Sequence, residues 1–346
     1  MLYTNQTASE LDGYRCTSSG IFEAQTSIWM KINFVFTFPL IFITFYTSIF
    51  AYRRLKYRNV YSSGTQFILY AVLFNANLNQ LVYCVIRIRH LFQIINYSSD
   101  PCLIEFHSTE CFYDNSLYMF SNYFATWLVC SLTFDRFLAF YARKLYVEQE
   151  KSKRIAMMLV AGAILFTLIG HALIYFGVNR AGYVPSCQYP PHLALNGFAI
   201  MTNLKIMFTI ANCVVIVVLL FLIIRKDRII RQSVYDTNTR YSSYENVLTT
   251  KSVLIIAVAQ LFFSCLSSVA VTIVRTFEAG MSEYTYHILT QYVTGLLYGN
   301  LSIPILIYLK TTQCVQLRHR RISKMTKQPD VLESRMLSLK NMWEKE

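Results

Sequence analysis

Asp135 and Arg136 stand side by side inside the apolar run SLTFDRFLAFY, and Asp135 is the one carboxylate within a stretch long enough to cross a bilayer. Desolvating an ionised pair at that depth is costly, so its presence points to a function. Cys111 precedes Arg136 by 25 residues, roughly 37 Å of helix at about 1.5 Å per residue. That separation sets the cysteine at one membrane face and the arginine at the other. A lone cation, Lys205, sits near the end of another apolar run. It is expected to snorkel to the interface; the competing role is counter-ion for an acidic ligand. Asn75 and Asn79 are four residues apart and share one helix face. Polar side chains in lipid seek partners on neighbouring helices, at about 0.6–2 kcal/mol each, so both read as interhelical contacts. His171 reads as a hydrogen-bonded packing residue. The six histidines are scattered and no cysteines show zinc-type spacing. No metal, cofactor or enzymatic activity is expected.

Such groups need membrane-spanning helices to hold them. The chain is 54% hydrophobic and only 15% charged, where soluble chains carry about a quarter charged residues. Windows of about twenty apolar residues predict seven spans: Trp29–Tyr52, Gln66–Ile86, Leu117–Tyr141, Ile155–Phe176, Thr202–Ile224, Ser252–Val274 and Ile288–Leu309. The fifth has room to begin earlier, because Leu193 to Ile224 is almost unbroken. The expected fold is an all-α membrane protein, a seven-transmembrane-helix bundle (29–309) between an N-terminal segment (1–28) and a basic tail (310–346). The first 27 residues are polar and carry no cleavage pattern, so the first span is expected to serve as the insertion signal.

Lys and Arg set the orientation. The loops after spans one, three and five and the tail hold 24 of them, against six on the other side. That bias places the tail in the cytoplasm and the N-terminus outside. The acceptor tripeptides at Asn5 and Asn96 then both lie outside, as glycosylation requires; a third, at Asn300, falls inside span seven. Cys16, Cys102, Cys111 and Cys187 also lie outside, where disulfides persist, and four cysteines allow three pairings. The net charge of +13 gathers beside apolar spans, which argues for membrane lipids as its partner and against nucleic acid. Arg318, Arg320, Arg321, Lys324 and Lys327 follow span seven as a basic stretch suited either to a surface helix on anionic lipid or to a solvated tail. Cys314 beside them is a candidate for palmitoylation.

With seven spans, Cys111 at the outer end of span three and Asp135-Arg136-Phe137 at its inner end, the chain resembles the G-protein-coupled receptors. SLTFDRFLAFY, and YSSYENVLTTK before span six, are similar more closely to the nematode serpentine chemoreceptors of class alpha. The resemblance covers essentially all seven spans. It implies a disulfide from Cys111 to Cys187 in the second outer loop, although the residues alone leave Cys102 as an alternative partner. It implies that Asp135, Arg136 and Phe137 form the switch that meets a heterotrimeric G protein, the alternative being an interfacial ion pair that only caps and snorkels. It also implies a small-molecule ligand, an odorant or other chemical cue, near Tyr118, Tyr123, Trp127 and Lys205, with Asn75, Asn79 and Asn300 as interior polar contacts. The expected address is the plasma or sensory-cilium membrane. Three features depart from rhodopsin-like receptors: span two has no aspartate, span six has neither proline nor tryptophan, and one extra residue separates Pro304 from Tyr308.

The competing class is a seven-helix ligand-gated channel of inverted topology, which the basic-residue bias and the Asn5 and Asn96 tripeptides oppose. A transporter should show paired repeats or broken helices with midplane charges, and the sequence displays neither.

Overall fold

The computed structural model describes residues 16–326 apart from 59, 143–147, 234–236 and 294. Asn5, Arg143, Lys144 and the tail from Lys327 lie outside the described residues. A short helix α1 (Ser19–Thr26) precedes α2 (Ile28–Tyr57) and α3 (Ser63–Asn96). A strand β1 (Phe106–His107) leads into α4 (Ser108–Tyr141), followed by α5 (Gln149–Tyr175) and β2 (Tyr183–Val184). Then come α6 (Leu195–Ser233), α7 (Thr237–Thr276), α8 (Glu283–Tyr292) and α9 (Gly295–Thr326). Serine caps begin the first two spans: Ser27 Oγ accepts from Met30 N at 3.2 Å and Ser62 Oγ from Thr65 N at 3.4 Å. Each satisfies a backbone donor that the first helical turn leaves open.

The spanning helices pack as a ring, α2–α3–α5–α6–α7–α9 and back to α2, around α4, which touches α3, α5, α6 and α7. Large apolar side chains on the ring's outer surface, among them Val35, Phe42, Leu173, Val217 and Phe221, are exposed. Patches of that extent are stable against lipid and not against water. Among the described residues, six helical stretches are long and apolar enough to cross a membrane. The central helix α4 is less apolar because half its surface meets protein, not lipid, and it buries Asn115, Ser121, Thr126, Ser131, Thr133, Asp135 and Arg136. Interior neighbours accept polarity that hydrocarbon would reject.

The helices outrun the predicted spans. α3 continues past Ile86 to Asn96, so Arg87 and Arg89 belong to a helix and not to an outer loop. α6 and α7 contain 39 and 40 residues, about 58–60 Å each, and reach well beyond a hydrocarbon core of about 30 Å. Hydropathy windows stop where charges begin, whereas backbone hydrogen bonding carries a helix on into water. Span seven, expected as one helix, comprises α8, which ends at Tyr292, and α9, which begins at Gly295. The basic stretch after span seven is no separate surface helix: α9 runs on through Arg318 and Arg320 to Thr326. Cys314 faces inward, fully buried, within hydrogen-bonding reach of Ser252 at 3.0 Å. As folded, that thiol is closed to acylation.

Candidate functional site

Arg136 does not snorkel. It is 4% exposed and Asp135 is wholly buried, because both project from the central helix toward α3. Arg136 Nε and Nη2 donate to Asp135 Oδ2 at 3.0 and 2.6 Å, and Thr65 Oγ1 donates to the same oxygen at 2.8 Å. Arg136 Nη2 also contacts Thr65 Oγ1. Thr65 occupies the first turn of α3, which is held against α5 by Ser63 Oγ donating to the Gln149 carbonyl at 2.8 Å. At Gly64 an added Cβ would come within 2.4 Å of the Ser152 backbone oxygen, so glycine permits the approach that brings Thr65 to the pair. Phe137 is not part of this cluster; it stacks on Phe134 and Tyr141 on the outward face of α4. Nearby, Arg318 of α9 pairs with Glu245 of α7 and donates to the Val60 carbonyl at 3.2 Å. Glu245 lies within the YSSYENVLTTK segment.

Halfway along the bundle, amides join three helices. Asn75 Nδ2 donates to the Ser121 carbonyl at 2.9 Å, Asn79 Nδ2 to Ser121 Oγ at 2.6 Å, and Asn300 Nδ2 to Asn79 Oδ1 at 2.7 Å. α3, α4 and α9 are thereby tied together one to two turns from Tyr118, whose carbonyl accepts from Ser121 Oγ at 2.9 Å.

At the opposite end from Arg136, disulfides join Cys111 to Cys187 and Cys16 to Cys102. The first ties the α5–α6 loop to α4, and the β1–β2 pairing, Phe106 opposite Val184 and His107 opposite Tyr183, holds the same loop flat. Asn115 Nδ2 adds a bond to the Gln188 carbonyl at 2.8 Å. α1 lies over this end, where Gln25 Nε2 donates to the Pro185 carbonyl at 3.0 Å and Ser18 Oγ to Glu283 at 2.5 Å. Burial pushes the Glu105 carboxyl up to about 7, with the Glu283 carboxylate adding to the effect. Asn96 ends α3 here and is exposed.

The expected ligand residues separate into two groups. Tyr118 and Tyr123 are buried in the interior of this half, whereas Trp127 fits between Phe166 and Phe208 at 5.0 and 4.9 Å on the α5–α6 side. Lys205 is 7% exposed and donates to Asn122 Oδ1 at 2.6 Å. The snorkelling expectation is thus overturned: α6 turns this side chain inward, where an amide on α4 receives it. His171 contacts Ser116 at 2.9 Å and stacks on Tyr175, a packing role.

Arg87 falls just beyond the predicted end of span two at Ile86, and it is the largest fully buried side chain among the described residues. It bonds to Gln291 of α8 at 2.8 Å and to Tyr83. A signal for it existed: 75, 79, 83 and 87 share one face at a spacing of four, so the stripe that makes Asn75 interior makes Arg87 interior too. Thr65 had no comparable signal.

Residues 11–343 match the family described as Serpentine type 7TM GPCR chemoreceptor Sra. Serpentine receptor class alpha-27 of Caenorhabditis elegans is 53% identical over 99% of both chains. Class alpha-20 of the same organism is 33% identical over 98% of this chain and all of its own length, and class alpha-25 is 34% identical over 96% and 99%. Full-length matches of this kind, on a multi-pass bundle of apolar helices, show that the chain belongs to the class alpha serpentine receptors, a family of seven-transmembrane G-protein-coupled chemoreceptors and not of enzymes.

Proposed function

We propose that the protein is a chemosensory receptor of the plasma or sensory-cilium membrane, with the disulfide-bonded end outside. A small-molecule cue binds at that end, and a heterotrimeric G protein is activated at the Arg136 end. The observation that carries this reading is the burial of Arg136 against Asp135 and Thr65. A guanidinium held wholly inside a membrane bundle is restrained, and one neighbouring carboxylate supplies its charge compensation. Opening of the helix ends around it releases planar donors that lysine does not reproduce. The Glu245–Arg318 pair supports a closed resting arrangement, since it joins α7 to α9 at the same end. The Asn75–Asn79–Asn300 contacts are the physical link by which a shift near Tyr118 reaches α9.

The test compares variants at matched surface density in cells reporting cyclic nucleotide or calcium. Asp135→Asn weakens the restraint and should raise signalling without ligand; adding Arg136→Ala should abolish that rise. Removing one partner of a buried pair costs about 3–5 kcal/mol, which is why surface density must be matched. Wild-type signalling from Arg136→Ala would reduce the pair to a structural anchor.

A further inference from the structure

Arg87 is a fully buried cation with no counter-charge among the described residues. Its neighbours are the Tyr83 hydroxyl, the side-chain oxygen of Gln291 at 2.8 Å and the Gln291 carbonyl at 3.4 Å. Its guanidinium carbon lies 4.8 Å from the Tyr83 ring centre and 5.6 Å from that of Phe34. All are neutral groups, and no carboxylate forms an ion pair with Arg87 among the described residues. Its Nε has no acceptor among the described residues. Arg136 at the far end has Asp135, and Arg89, two residues along the same helix, has Asp114. A buried guanidinium compensated only by dipoles costs stability that an apolar residue would not. That cost is offset if an anion completes the site.

We propose that Arg87 is the counter-charge for the carboxylate of a small organic acid, and that such acids are the class of cue this receptor detects. The inference rests on the receptor reading and names the chemistry of its ligand. A carboxylate pairs side-on with a guanidinium through Nε and one Nη; Nε is unspent, and Nη2 is spent only on neutral oxygens. One guanidinium matches one negative charge, which favours a monoanion over a phosphate. The surroundings suit an apolar body behind the acid group: Phe34, Tyr83 and Tyr118 lie beside it, and Tyr189 reaches Gln291 from the disulfide-tethered loop at 3.4 Å. His90 is buried between Phe34 and Phe106 with neither ring nitrogen bonded. Gln291 belongs to α8 and its carbonyl lies 3.4 Å from Nη2, so an acid that takes its place there acts on the helix that leads into α9. Lys205 is the other buried cation of this half, but Asn122 already receives it.

The experiment is thermal unfolding of the purified full-length receptor in lipid nanodiscs. Probes are hexanoate and phenylacetate, each against its matched primary amide, with sodium chloride titrated separately. The expected result is a Tm rise of a few degrees with an acid and none with its amide. Arg87→Gln should weaken the protective acid about 30-fold or more; Arg87→Lys, which keeps the charge without the fork, should weaken it less, and Lys205→Gln should retain protection. Without any probe, Arg87→Gln should be as stable as wild type or more so, since it removes an uncompensated charge. Equal protection by amides, protection that survives Arg87→Gln, protection reproduced by chloride alone, or no protection by either acid would each overturn the proposal. So would a lower probe-free Tm for both Arg87→Gln and Arg87→Leu, which would make Arg87 a structural post. None of these outcomes bears on coupling through Arg136, which the basal signalling of Asp135→Asn decides separately.

Discussion

Glu105 shows how much a single side chain depends on what packs over it. Its carboxyl is pushed up to about 7 from 4.5 because it is shielded from water and lies near Glu283. The folded protein therefore holds the proton more tightly than the unfolded chain. Stability from this group is full below pH 4.5 and is lost as pH rises through about 7. Glu105→Gln should raise Tm at pH 8 by a few degrees, at about 2–4 °C per kcal/mol, and leave it nearly unchanged at pH 4.5; calorimetry of the nanodisc-held protein at both values measures the difference. Cys111 and Cys187 act at the same scale. Joined by one bond that closes a long loop, they contribute about 3–5 kcal/mol as a unit. Cys111→Ser and Cys187→Ser should reduce surface delivery equally, with no further loss in the double variant; additive losses would show that the two cysteines serve different bonds.

Among elements, the contact of α3 with α5 controls the Asp135–Arg136 cluster from a distance. Gly64 sits against the Ser152 backbone, where a methyl group has no room. Overpacking of this kind costs about 1–3 kcal/mol. Gly64→Ala should lower Tm accordingly and push Thr65 away from Asp135, so ligand-independent signalling should rise as in Asp135→Asn, though less. Unchanged basal signalling in a destabilised Gly64→Ala would mean that Thr65 does not take part in the restraint. α4 is the element on which both ends depend: Cys111 and Asn115 hold the loop at one end, Asp135 and Arg136 the charge cluster at the other.

The whole molecule has one property that every functional statement presupposes, its orientation. The excess of Lys and Arg beside the Arg136 end predicts that this end faces the cytoplasm. Intact cells should bind antibody to a tag placed before Leu2 and not to one placed after Glu346. The opposite staining would put Arg136 outside and favour the inverted channel.

Seven spans, their order and the Asp135–Arg136 pair within the third were legible in the sequence, because hydropathy and an intramembrane charge are local properties of a chain in lipid; the central place of that helix was not. The Asn75 and Asn79 face was legible for a similar reason, since helical spacing alone puts both on one side. The length of α3 was not, because hydropathy windows stop at Ile86; the face shared with Asn75 and Asn79 points to an interior Arg87, but only packing from α2 and α8 encloses it. The inward turn of Lys205 depended on Asn122 of a distant helix, and the closure of Cys314 on Ser252. The disulfide pairing, the close approach at Gly64 and the reach of Thr65 to Asp135 join residues 70 or more positions apart. Such contacts exist only once helices far apart in sequence are packed, and the tertiary structure alone decided them.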